Sequence, residues 1–154
     1  YKMKLGEALS KLKKEKSKLA RLISLRKENV YVEEGKKTKF DPKELSKEIN
    51  NKIEDIRNLK IQIQKTNLNT KIIGDNILLG EAIIKVNDLR SKMGKLSNLF
   101  EKERSLWYRN KDEKEIIAQL DEIEIEDELE KLEIEKVQLD NKIQITNWTT
   151  KLMN

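Results

Sequence analysis

Threonine, asparagine and lysine recur with one spacing at two places, Thr66-Asn67-Leu68-Asn69-Thr70-Lys71 and, 80 positions later, Thr146-Asn147-Trp148-Thr149-Thr150-Lys151. Hydroxyls, carboxamides and ammonium groups held together can bind an anion or a small polar ligand. The groups on offer are Thr66, Asn67, Thr70 and Lys71 in one segment and Thr146, Asn147, Thr150 and Lys151 in the other. The same residue types also end helices, because their side chains bond nearby backbone groups. Capping chemistry accounts for them without a ligand, so paired helix stops are the stronger expectation. Trp148, standing where the first segment has Leu68, is expected to anchor packing rather than to offer a binding platform.

Other chemistry is narrowed by what the chain lacks. It has no cysteine and no histidine, which removes thiolate nucleophiles, Cys/His zinc sites and imidazole acid–base catalysis. The carboxylates of residues 121–135 have neither the central glycine nor the alternating oxygen ligands of a calcium loop, so a charged helix face is expected instead of a metal site. Trp107-Tyr108-Arg109 beside Lys111 could stack on bases, but a connection closing one end of a helical body explains it more simply. No catalytic residue, cofactor or metal is therefore assigned, and the chain is expected not to be an enzyme.

The elements that position these residues follow from periodicity. Leu5, Leu9, Leu12, Leu19, Leu22 and Leu25 mark one stripe of a first helix over about 4–28. Val30-Tyr31-Val32, a Glu-Glu-Gly-Lys-Lys turn and Phe40 suggest a small β-hairpin. Asp41, Pro42 and Glu44 then form a helix start. Leu45, Ile49, Ile53, Ile56, Leu59 and Ile63 carry a second helix over about 42–66, with Asn67 suited to end it in a left-handed conformation. Gly74-Asp75-Asn76 marks a turn, after which Ile83, Val86, Leu89, Met93, Leu96 and Phe100 define a third helix over about 79–104. Part of the stretch from Ser105 to Leu120 is a candidate strand. A fourth helix over about 122–147 has apolar residues on more than one face: Ile125, Leu129, Leu132, Leu139 and Ile143, but also Ile123, Ile134, Val137 and Ile145. A helix apolar on two faces is usually covered on two sides.

These elements are written twice. Leu5-Gly6-Glu7-Ala8-Leu9 returns as Leu79-Gly80-Glu81-Ala82-Ile83 at an offset of 74, and Asp41/Glu44 returns as Asp121/Glu124 at 80, with a six-residue insertion in the second connection. Repetition at this scale indicates a tandemly duplicated antiparallel helical hairpin. The expected fold is all-α: four long helices, bundle or coiled-coil-like, in one domain over residues 3–154 made of repeats at about 3–73 and 77–154. Only the connections are open to short β-hairpin or strand pieces.

Charged residues make up 40% of the chain and apolar ones 36%, with one proline and a net charge of +5. Such a composition suits long solvent-facing helices. No apolar run approaches the roughly 20 residues of a membrane span, and the start shows no signal-peptide core, so a cytoplasmic protein is expected. The copies differ in charge: residues 3–29 hold nine Lys/Arg against three acids, and residues 112–136 twelve acids against three lysines. A basic first helix and an acidic fourth attract one another, and the same pairing can join neighbouring subunits.

Met3-Lys4-Leu5-Gly6-Glu7-Ala8-Leu9, Thr66-Asn67 and the terminal Leu139-Asp140-Asn141-Lys142-Ile143-Gln144-Ile145-Thr146-Asn147-Trp148-Thr149-Thr150-Lys151-Leu152 together resemble the septicolysin-like family of small helical bacterial proteins. The resemblance implies a helical fold without an established biochemical role and brings no site residues. The expected function is that of a non-enzymatic homo-oligomer acting through self-assembly or a protein partner. A membrane-active, cytolysin-like protein is the alternative, and a nucleic-acid or ribosome-associated factor, using the lysine-rich first helix, is a third.

Overall fold

The structure, a computed structural model, describes residues 1–101 and 116–154. It is all-α, with helices α1 (Leu5–Glu28), α2 (Pro42–Asn69), α3 (Leu79–Ser97) and α4 (Glu122–Thr149). Among the described residues, extended pairing is confined to two isolated antiparallel bridges, Lys4 with Lys151 and Lys71 with Leu78. The chain divides into two compact units, Tyr1–Thr70 with Thr146–Asn154, and Lys71–Ile145. The first unit thus takes the last nine residues of the chain along with nearly all of the first repeat.

Within the first unit, α1 and α2 pack antiparallel through a seam stepping by three and four. On α2 this seam is Leu45, Ile49, Lys52, Ile56, Leu59 and Ile63, all buried except Lys52. On α1 it is Leu5, Ala8, Leu12, Glu15, Leu19 and Leu22. Three members of the expected stripes lie off the seam: Leu25, which the three-four steps pass over for Arg26, and Leu9 and Ile53, which are exposed. The places of the last two are taken by Ala8 and by Lys52, which keep the three-four spacing that an apolar count alone overlooks. Lys52 Nζ donates to Glu15 Oε2, and these side chains are only 23% and 14% exposed. Nearer the connection, Arg26 Nη1 donates to Ser46 Oγ at 3.2 Å.

The second unit repeats the seam with different chemistry. Leu79, Ala82, Val86 and Leu89 on α3, and Leu132, Leu139 and Ile143 on α4, are buried. Ion pairs Lys85–Glu135 and Lys92–Glu128, each at 3.4 Å, connect the two helices in antiparallel order. By the repeat offsets, Glu15 corresponds to Leu89 and Lys52 to Leu132. The first copy holds a charge pair where the second buries two leucines.

Local signals explain the helix starts. Asp41 Oδ1 accepts from Lys43 N–H at 2.9 Å, and Asp121 Oδ1 from Ile123 N–H at 3.0 Å, so one cap serves both copies. Glu44 turns outward to Lys47 and does not close a capping box. The end of α1 is held by Asn29, whose Nδ2 donates to Leu25 O at 2.7 Å.

Four expectations are revised. Residues 30–40 form no hairpin: Val30, Tyr31 and Val32 are exposed coil, with no apolar surface to cover a ladder, and the turn is local, Lys36 N–H donating to Glu33 O beside Gly35 at φ +81°. Asn67 does not end α2. No described residue other than glycine has positive φ, and the helix runs on to Asn69, where extended Thr70 leads into the Lys71 bridge. Likewise α4 passes Asn147 to Thr149. The third helix stops at Ser97, capped by Asn98, whose N–H reaches back to Leu96 O, so Phe100 stands beyond it. The strand considered within 105–120 lies outside the described residues except for 116–120, which form no strand.

Candidate functional site

The Thr-Asn segments form the last turns of α2 and α4, and in the first unit they fasten distant parts of the chain. Thr66 is fully buried; its Oγ1 donates to Gln62 O at 2.8 Å and accepts from Met153 N–H at 2.9 Å. Leu5 N–H, left unpaired by its own helix, donates to Thr150 O at 2.8 Å, and Leu152 N–H donates to Met3 O at 2.8 Å. Lys151 is exposed and pairs through its backbone with Lys4. Thr146 is buried; its carbonyl accepts from Thr150 N–H at 3.0 Å and Thr149 Oγ1 at 3.4 Å. Asn67 and Thr70 are half-buried.

Lys71 belongs to the other unit. There its ammonium donates to Asn76 Oδ1 at 2.8 Å across a tight turn in which Ile72 N–H donates to Ile77 O and Gly74 takes φ +73°. The repeat offsets match Lys4 to Leu78, Met3 to Ile77, Lys151 to Lys71 and Leu152 to Ile72. Each unit is therefore closed by the same two-residue pairing, once through a tight local turn and once between residues 149 positions apart.

Trp148 lies over Gly6. A Cβ at Gly6 would stand 2.6 Å from the indole Cδ2 and 2.8 Å from Cε2 and Cε3, so only glycine lets the ring approach. Asn147 is buried, and its Oδ1 has no hydrogen-bond partner. An unpaired carbonyl oxygen repels anions, and the Thr66 hydroxyl is already used in both directions. The arrangement suits a clasp better than an anion site.

A second feature, on α4, is a surface. Opposite its buried Leu132, Leu139 and Ile143, the helix presents Ile123, Ile134, Val137 and Ile145 at 44–68% exposure. At an offset of 80, the first three correspond to Lys43, Glu54 and Arg57 on α2. One duplicated face is solvated by charge in one copy and apolar in the other. Asp127 and Glu130 lie on the same α4 face and form no ion pair among the described residues. Elsewhere in the second unit, Leu99, Phe100, Ile116, Ile117 and Leu120 line an open groove of about 310 Å³. Trp107, Tyr108, Arg109 and Lys111 lie outside the described residues.

Among the described residues no helix is long and apolar enough to cross a membrane, and no group of three acidic side chains converges as metal ligands. With two antiparallel helical hairpins and their clasp, the chain belongs to a family of unknown function, DUF6847, which it matches over residues 12–152. It is similar to a crystal structure of a functionally unknown conserved protein from Corynebacterium diphtheriae, with TM-score 0.85 and 25% sequence identity, covering 99% of this chain and 100% of that one. No curated protein matches it.

Proposed function

We propose that the chain is a non-enzymatic helical protein that acts through self-assembly or by binding a protein partner, and that the outward face of α4 is its contact surface. The observation that carries this reading is the contrast between duplicated positions. Ile123, Ile134 and Val137 are exposed where α2 has Lys43, Glu54 and Arg57, and apolar residues gathered on one helix face among polar ones mark interaction sites. The resemblance to the septicolysin-like family enters as a matter of helical architecture alone. A lipid surface is the competing occupant, in line with a cytolysin-like role, but Asp127 and Glu130 on the same face disfavour anionic headgroups.

Light scattering across a concentration series, with Ile134→Glu/Val137→Glu as comparison, tests the reading. Concentration-dependent association lost in the double variant supports it. A monomer throughout, together with co-sedimentation on neutral liposomes that the double variant abolishes, would replace it with the lipid reading.

A further inference from the structure

We infer that the occupant of the α4 face is α1 of a second copy of this chain, docked parallel and in one register, with residue i of α1 facing residue i plus 114 of α4. This rests on the self-assembly reading above and specifies its geometry.

Besides its seam, α1 carries a flanking stripe of Leu9, Lys13, Lys16, Ala20, Ile23 and Lys27. All six are exposed, Leu9 at 38% and Ile23 at 43%. Its steps are four, three, four, three and four. The outward stripe of α4 is Ile123, Asp127, Glu130, Ile134, Val137 and Asn141, with the same steps in the same order. Helices whose facing residues share this rhythm keep those residues opposed along their length.

In parallel register the pairs are Leu9 with Ile123, Lys13 with Asp127, Lys16 with Glu130, Ala20 with Ile134, Ile23 with Val137, and Lys27 with Asn141. Every apolar residue meets an apolar one, and both acids meet lysines. The antiparallel alignment instead places Ile23 on Asp127, Ala20 on Glu130, Lys16 on Ile134 and Lys13 on Val137. Pairing α4 with α4 in parallel sets Asp127 on Asp127 and Glu130 on Glu130. The charge layers therefore select one alignment by penalising the others.

The pairing belongs between copies. Within one chain the start of α1 is bound to the end of α4, because Leu5 N–H donates to Thr150 O, whereas the parallel register needs the start of α1 beside the start of α4. Lys13, Lys16, Asp127 and Glu130 form no ion pair among the described residues, so their charges are available to a neighbour. The repeat supplies an internal comparison: the matching α2 positions are Lys43, Lys47, Asn50, Glu54, Arg57 and Ile61, and the matching positions on α3 and just beyond it are Ile83, Asn87, Arg90, Gly94, Ser97 and Glu101. Neither carries the complementary pattern. Because the two surfaces differ, each copy offers one of each, and the contacts either close reciprocally in a two-fold dimer or continue into a ring or a filament.

The chain has no cysteine of its own, so introduced pairs report register directly. Leu9→Cys/Ile123→Cys is expected to give covalent oligomers on mild oxidation, a doubly linked dimer where the contacts close reciprocally and a ladder where they continue, and Leu9→Cys/Asn141→Cys, which samples the antiparallel alignment, is not. Lys13→Glu/Lys16→Glu and Asp127→Lys/Glu130→Lys should each weaken association about tenfold or more. The two variants should co-assemble when mixed, and the quadruple exchange should restore assembly. All these positions are exposed, and circular dichroism of each variant verifies folding. Covalent oligomers from Leu9→Cys/Asn141→Cys and none from Leu9→Cys/Ile123→Cys, or association indifferent to the charge exchanges, overturns the register while self-assembly stands. A monomeric parent chain overturns both.

Discussion

Glu15 and Lys52 form an ion pair inside the α1–α2 seam, at the positions where the second repeat buries Leu89 and Leu132. The chain thus contains both solutions to one packing problem. Replacing a largely desolvated pair by well-fitting apolar residues is often neutral or stabilising, whereas removing one partner strands a charge. Glu15→Leu and Lys52→Leu alone are each expected to lower the melting temperature, and the double substitution to recover most or all of the loss. A double-mutant cycle by thermal denaturation measures the coupling. Additive losses would show that the pair does not act as a unit.

The same pair makes stability depend on pH. The hydrogen bond from Lys52, opposed by desolvation and reinforced by Lys18, holds the Glu15 carboxyl below its ordinary value of 4.5. The folded state therefore binds this proton more weakly than the unfolded state, and the stabilisation is complete above 4.5 and lost as pH falls from there through the lower folded value. Relative to Glu15→Leu/Lys52→Leu, the parent should lose additional stability on acidification below about pH 4.5. Urea titrations of both proteins at several pH values check this, and parallel profiles would contradict it.

Gly6→Ala has opposite consequences in helix propensity and in packing. Alanine stabilises a helix interior by about 0.5–1 kcal/mol over glycine, an upper bound at Gly6 in the first turn of α1. Here the new methyl would stand 2.6 Å from the Trp148 ring. Overpacking of this kind costs about 1–3 kcal/mol, so net destabilisation is expected. In a Trp148→Ala background the clash disappears, and Gly6→Ala should become neutral or stabilising by chemical denaturation.

Thr66→Val keeps the shape and removes the oxygen that accepts from Met153 N–H. Leaving that donor unmet should cost about 1–3 kcal/mol. Thr66→Ser, which retains the hydroxyl, should cost less. Hydrogen exchange provides a local check, since the amide of Met153 should lose protection in the valine variant first.

The duplicated hairpin was legible because its signals are local: the Asp41 and Asp121 caps, the Gly74 turn, and seams repeated at 74 and 80. Lys52 was not legible. Ile53 beside it offers an apolar residue one step off the three-four rhythm, and a charge in a seam looks like a solvent-facing residue until its partner is known. The loop after Asn29 misled for a related reason, since alternating Val30 and Val32 favour a strand only where a surface exists to bury them. The recurrence of the Thr-Asn segments is visible in the sequence, but their task is tertiary. Thr66 reaches Met153 across 87 positions, a distance no local spacing encodes. The second face of α4 was visible as surplus apolar residues, and its complement on α1 emerged only once exposure separated Leu9 from the seam.

The equivalence of the two closures bears on the order in which the chain is joined. Ile72 and Ile77 are bonded across a four-residue turn, and Leu152 and Met3 are bonded in the same way without one. The fold therefore has two interchangeable seats for its break in connectivity. A circular permutant that links Leu152 to Met3 through Ile-Gly-Asp-Asn and opens at Asp75 should keep both hairpins, because it moves the break from one copy of a shared joint to the other.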